Sequence, residues 1–243
     1  MFNISIRAEP IFFIDHFPFT NSLLLSLLIF IVFIYFALSY KRESKKTHKN
    51  TFFYLMTFVV RSVYTLFESI FGEQTKFFFP LVGAFFFFIL LQNWSGLIPG
   101  IGSVLIRSTE TQKFTPLLRG STADLNTPLA LALITFVYTQ YIGVRYLGLK
   151  EYIGKFINFS HPMMLFVGVL EIVTEFSRII SFSFRLFGNI FAGEVLLSII
   201  GILVPILASF PFLLLEIFVG IVQALVFSML SAVLFKLAIT RHH

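Results

Sequence analysis

Long apolar runs separated by short charged stretches dominate the 243-residue chain, and their lengths predict helices that cross a membrane. A helix needs about 20 apolar residues for that. The first run, Leu23 to Leu38, is broken only by Ser26 and predicts a span over 22–40. The second, Phe77 to Ile98, holds the run Phe85-Phe86-Phe87-Phe88 and closes on Asn93-Trp94-Ser95-Gly96. Trp94 suits an interfacial anchor there. Between them, residues 52–71 carry Arg61 and Glu68 at helical spacing among apolar neighbours. That pattern predicts an amphipathic helix along the inner surface, with a short buried hairpin as the alternative. After a polar outer loop from Pro99 to Thr127, a third span is predicted over 128–147.

The rest of the chain holds two helices too long for a simple span. Residues 163–200 would run about 57 Å as helix, at about 1.5 Å per residue, against a hydrocarbon core of about 30 Å. Residues 206–240 pose the same problem, and Gly201 and Pro205 supply the turn between the two. Two over-long helices in a hairpin must lie obliquely, beyond the usual tilts of up to about 40°. Such a pair suits a large partner inside the membrane. The predicted fold is thus an all-α integral membrane protein of one domain. It has about five transmembrane helices, one interfacial helix and a steeply tilted C-terminal hairpin.

Composition agrees. Charged residues make up 12% and hydrophobic ones 57%, where a soluble domain carries about 25% charged. There are no cysteines, which excludes disulfides, zinc–thiolate sites and cysteine nucleophiles. The net charge of +6 is not a nucleic-acid footprint, because the basic residues sit beside the spans. Lys41, Arg42, Lys45, Lys46 and Lys49 follow the first run against one acid, Glu43, and Arg145, Lys150 and Lys155 follow the third span. Both place their basic flank inside. The N-terminus is therefore expected outside and Arg241, His242 and His243 inside. A secretory signal has the opposite order, with charges before the apolar run.

Between Leu186 and Phe235 the chain has no Lys or Arg, and its only acids are Glu194 and Glu216. Arg185 stands just before this stretch. An ionisable residue in mid-span costs several kcal/mol on insertion and points to function. Glu171, Glu175, Arg178, Ser181, Arg185 and Asn189 recur at spacings of three and four, forming one stripe on one helix face. Glu216 and Gln223 share a face of the returning helix. With a turn near residue 204 or 205, positions whose numbers add to about 409 lie at equal depth. Arg185 then opposes Gln223, Glu194 opposes Glu216, and Ser181 opposes Ser228. Glu194 is nine residues from Arg185, about 13.5 Å along the axis, too far for a direct pair. The carboxylate partner of Arg185 is expected on another subunit.

The run Phe184-Arg185-Leu186-Phe187-Gly188-Asn189-Ile190-Phe191-Ala192-Gly193-Glu194 resembles the signature of the a-subunit family of F-type ATP synthases. So do Glu216 to Gln223 with the following Ala224-Leu225-Val226-Phe227, the outer-loop motif Thr122-Ala123-Asp124-Leu125-Asn126, and the Asn93-Trp94 end of the second span. The resemblance covers about residues 10–240. It implies a proton-channel subunit in which Arg185 faces the essential carboxylate of a rotating ring of c subunits. It further implies that Asn189, Glu194, Glu216 and Gln223 line or support an outer aqueous half-channel, with Asp124 near its mouth. By the same resemblance, Glu171, Thr174, Glu175, Arg178 and Ser181 fall in the inner half-channel. The ring, the peripheral-stalk subunit b and the rest of the synthase are the implied protein partners, and the lipid bilayer is the medium. Many family members carry a histidine at one of the two positions that are glutamates here, Glu194 and Glu216. A histidine relay at that point therefore does not carry over.

The rival readings are an ion-coupled secondary transporter and a structural membrane subunit. A transporter should show an internal repeat, and none is visible. A structural subunit has no need of an unpaired arginine in mid-membrane. The chain has no HExxH, GxSxG or Walker loop, so no catalytic site and no cofactor are expected. The twin glutamates and the outer-loop motif suggest a bacterial inner membrane, with the mitochondrial inner membrane as the alternative for so Phe-rich a chain.

Overall fold

The computed structural model describes residues 8–14, 17–98, 100–101, 104–107, 114–156, 162–204 and 209–240. The chain opens with strands β1 (Pro10–Ile14) and β2 (Phe17–Thr20), an antiparallel pair in which Phe12 stacks on Phe19 at 4.7 Å. Helix α1 (Asn21–Ser44) follows at once, and the Thr20 side chain accepts the Leu23 N–H at 3.3 Å as its cap. It runs past the predicted end at residue 40. Lys41 and Arg42 in its last turn suit the negative end of the helix dipole.

Helix α2 (Thr51–Phe71) buries one face, Phe53, Val63, Phe67 and Phe71, and leaves Tyr54, Leu55, Phe58 and Arg61 exposed. At Gly72 the backbone takes φ 59°, a conformation that favours glycine. The chain then turns into α3 (Thr75–Gly96) sharply enough that the rings of Tyr64 and Phe67 both reach Phe79, at 5.0 and 6.2 Å. Phe71 stacks on Phe78 at 4.6 Å. The segment expected as a surface helix thus folds back on the next one, and Tyr40 of α1 stacks on its Phe53 at 4.9 Å.

The loop between α3 and the next long helix contains strands β3 (Leu105–Arg107) and β4 (Phe114–Pro116), paired antiparallel, and a helical turn, Ser121–Ala123. Helix α4 (Asn126–Leu147) returns across, and a short helix α5 (Leu149–Phe156), which the hydropathy pattern does not predict, follows Gly148 at φ 87°. The long pair is α6 (Pro162–Leu203, 42 residues) and α7 (Ser209–Ile239, 31 residues). At about 1.5 Å per residue α6 is about 63 Å long. The turn residue Pro205 and the terminal Arg241, His242 and His243 lie outside the described residues.

Helix α7 is the hub, packing on α2, α3, α4 and α6, most extensively on α3. Gly220, Ala224 and Ser228 recur every fourth residue on its buried side, and such small residues let neighbouring backbones approach. Phe227 meets Phe85 of α3 and Phe182 of α6 edge-on, at 5.8 and 5.4 Å. Among the described residues, five helical runs are long and apolar enough to cross a membrane. The protein is an all-α, multi-pass membrane protein.

Candidate functional site

One side of α6 is bare. Phe166, Val169, Leu170, Val173, Phe176, Ile180 and Phe184 are exposed along it, and Ser181, Arg185 and Asn189 are exposed among them. The Arg185 guanidinium donates to Ser181 Oγ at 3.3 Å, one helical turn back. Among the described residues no carboxylate lies within 4 Å of it. The hydrogen bond holds the charge in place, and no described carboxylate pairs with it at that distance.

Across the interface, Gln223 of α7 is buried and lines one small cavity with Arg185, Phe182, Leu186, Phe227 and Leu230. Arg185 and Gln223 are therefore level. Further along, the carboxyl group of Glu216 lies directly over Gly193, in the space a Cβ there would need. Glu216 is buried. Both contacts keep the register expected from the turn position. Ser181 and Ser228 do not join: Ser181 accepts from Arg185, and Ser228 donates to the Ala224 carbonyl of its own helix at 2.6 Å.

Glu194, the residue after Gly193, meets a group that the sequence reading missed. Arg119 of the loop that follows α3, itself buried, brings Nη2 within 3.6 Å of Glu194 Oε2. The loop is tied down around it. Ser22 Oγ donates to Asp124 Oδ2 at 3.1 Å, and Asp124 accepts from Asn126 on both its backbone and side-chain nitrogens. Ser121 donates to Gln92 Oε1 at 2.6 Å, and Gln92 Nε2 donates to Ser26 at 3.1 Å. Asn93 and Trp94 of α3 donate to the carbonyls of Gly220 and Ile217 on α7, at 3.1 and 3.2 Å. Asp124 thus braces the loop against α1 and is itself buried.

On the other side of Arg185, Glu175 is buried and accepts from Arg178 Nη1 at 2.9 Å. Gln140 of α4 donates to the other Glu175 oxygen at 3.4 Å, and the Tyr152 hydroxyl of α5 donates to Gln140 Oε1. The Tyr152 ring lies on Gly143, where any Cβ would collide with it. Burial, followed by the negative charges of Glu175 and Glu171, pushes the Tyr152 phenol up to about 12. Thr174 is exposed and bonds only back to the Leu170 carbonyl, at 2.8 Å. Glu171 is half-buried beside the group. Gln140 and Tyr152 carry no signal in the sequence. Arg119 carries one: it is a basic residue on the side that the charge bias assigns to the outside.

The site therefore has a lone exposed cation at mid-length on α6 and an acid cluster towards the turn. A second acid group lies towards the start of α6.

The family described as ATP synthase A chain matches residues 22–236 of this chain. The chain is 36% identical over 186 residues to ATP synthase subunit a of Syntrophobacter fumaroxidans, covering 76% of this chain and 70% of that protein. It is 38% identical over 176 residues to ATP synthase subunit a of Desulfosudis oleivorans, covering 72% and 69%. To the chloroplastic ATP synthase subunit a of Stigeoclonium helveticum it is 35% identical over 164 residues, covering 68% and 62%.

Proposed function

Because the chain belongs to the ATP synthase A chain family, we propose that it is the proton-translocating stator subunit of an F-type ATP synthase. Protons move through two offset half-channels, and Arg185 couples their flow to rotation of a ring of c subunits. The observation that carries this reading is the state of Arg185. It is exposed on a long apolar helix face with no carboxylate of the described chain within 4 Å.

An arginine keeps its charge at any working pH. A ring carboxyl brought opposite it favours the ionised form, because an opposite charge nearby stabilises the anion. The proton it releases leaves on one side, and the carboxyl takes another from the other side before it returns to lipid. The fixed positive charge also repels a proton that would pass straight from one half-channel to the other. Asn189, Glu194, Glu216 and Gln223 serve the outer path, with Asp124 bracing its mouth. Glu171, Thr174, Glu175, Arg178 and Ser181 serve the inner path.

ATP chemistry lies elsewhere in the complex, and this subunit is not itself catalytic. Besides the ring, its partners are the peripheral-stalk subunit b and the rest of the synthase. Its setting is the bacterial inner membrane, N-terminus outside and C-terminus inside, as the basic flanks require.

The test is Arg185→Ala in the intact complex. ATP-driven proton pumping is lost, the ring stays assembled, and passive proton leak rises. Lysine does not restore coupling, because it can shed its proton and lacks the planar fork. Full coupled pumping by the assembled alanine variant would refute the reading and favour a structural subunit.

A further inference from the structure

The cations at the end of α1 have no part in the site described above, and their spacing ties them to the apolar face of that helix. Ile31, Tyr35 and Leu38 are 61%, 67% and 60% exposed. They recur at intervals of four and three, so they form one stripe along α1, opposite the face that buries Leu25 and Ile29. Arg42 and Lys45 continue the stripe at the same intervals, and Lys41 stands three residues past Leu38. All three cations are exposed. Among the described residues none of them has a carboxylate within 4 Å, and the acid of that stretch, Glu43, pairs with Lys46 at 2.6 Å. The 24 residues of α1 rise about 36 Å against a hydrocarbon core of about 30 Å. Its basic end therefore reaches headgroup depth when the apolar stripe spans the acyl chains. The stripe also stays open. Helix α2 packs on the other side of α1, where Phe36 stacks on Phe52 at 5.8 Å and Tyr40 on Phe53 at 4.9 Å. A hydrogen bond of 3.2 Å between the Tyr40 and Thr57 hydroxyls closes that corner.

We propose that this stripe seats an anionic phospholipid, its acyl chain along Ile31, Tyr35 and Leu38 and its phosphate on Lys41, Arg42 and Lys45. An apolar stripe alone would suit any lipid or a second helix. A basic cluster alone would suit any acidic surface. The two in one line, with the cations at headgroup depth, fit a molecule with an apolar tail and a negative head. Arg42 offers a planar fork to phosphate oxygens, and the lysines add point charges. A lipid held there fixes the depth of α1 and, through the aromatic corner, that of α2.

The test uses the full chain, which has no native cysteine, with a fluorescent donor on Thr47→Cys beside the cluster. It is reconstituted in phosphatidylcholine vesicles holding a trace of phosphatidylglycerol or phosphatidylcholine with an acceptor on one acyl chain. Energy transfer shows phosphatidylglycerol enriched at least about fivefold over phosphatidylcholine, the scale of one cation near a lipid surface. Lys41→Gln, Arg42→Gln and Lys45→Gln together bring the ratio to about one, and glutamate at the three positions takes it below one. Each single glutamine variant lowers it at least about twofold, which keeps the test open if the triple variant does not insert. Exchanging the cations, with Lys41→Arg, Arg42→Lys and Lys45→Arg, keeps the preference. So does replacing chloride by inorganic phosphate at equal ionic strength, because a free anion lacks the tail. Equal transfer to both lipids from the unaltered chain would overturn the inference and leave the cluster to an acidic protein surface. A preference that survives the glutamine variants, or one that Lys150→Gln lowers as much, would overturn it too, as would displacement by inorganic phosphate.

Discussion

The carboxyl group of Glu216 occupies the space that a side chain on Gly193 would fill. The glycine of α6 is thus the seat of an acid carried by α7, and the two helices meet at one level through that side chain. Glycine here serves as a cavity, not as a hinge.

Gly193→Ala should therefore separate stability from transport. The colliding atoms are the far end of a flexible side chain, so Glu216 can swing away at about 1 kcal/mol or less, below the usual cost of about 1–3 for overpacking. Thermal stability of the detergent-solubilised complex should barely change, while ATP-driven proton pumping falls several-fold. Unchanged pumping would show that the seat of Glu216 is not used.

The register of the hairpin can be read by cross-linking. The chain has no native cysteine, so pairs can be introduced on a clean background. Cysteines at 194 and 216 should join through a short reagent, and those at 185 and 216 should not. Efficient joining of the second pair would mean that α6 and α7 have slid by more than two turns.

Accessibility should divide at Arg185. Carboxylates facing lipid alone would be neutral and useless as relays, so each acid group needs its own water. Cysteines at 171 or 178 should react with a membrane-impermeant thiol reagent from the inner side only, and those at 194 or 216 from the outer side only. Labelling of both sets from one side would argue for a continuous pore.

Tyr152 makes a prediction in pH. Its phenol is raised from 10.0 to about 12, so the folded state favours the protonated form. The docking of α5 is unaffected below the ordinary tyrosine value and weakens as pH climbs from 10.0 to about 12. Tyr152→Phe removes the bond to Gln140, a loss of about 1 kcal/mol, and abolishes that alkaline weakening. A difference titration of tyrosinate absorbance between wild type and variant isolates this one group. A difference step centred near 10 would contradict the burial.

Much of this was legible in the sequence because membrane helices advertise themselves by length. The over-long runs gave away α6 and α7, and the turn position alone put Arg185 level with Gln223 and Glu216 at the depth of Glu194, one residue from the Gly193 it covers. Other features have no periodic signature. The fold-back of α2 depends on one positive-φ glycine, Gly72, and on Phe rings indistinguishable in sequence from the other Phe side chains. Arg119 reaches Glu194 across 75 positions of chain, and a pair so far apart leaves no local pattern. Tyr152 and Gln140 meet only because Gly143 has no side chain to keep them apart. The β1–β2 pair escapes for a simpler reason, being too short to alternate convincingly.

The clamp from α3 to α7 has a mechanical meaning. Asn93 and Trp94 grip the carbonyls of Gly220 and Ile217, so α7 is bolted within its first half to α3, itself long enough to cross the membrane. Under the proposed function a rotor sweeps past the bare side of α6 and exerts drag, and drag on a slender rod bends it. Here the rod is backed by a second rod, and the second by a strut. Deflection at Arg185 is then set by the stiffness of the whole stack rather than of α6 alone, which on the proposed function steadies the gap across which its charge acts.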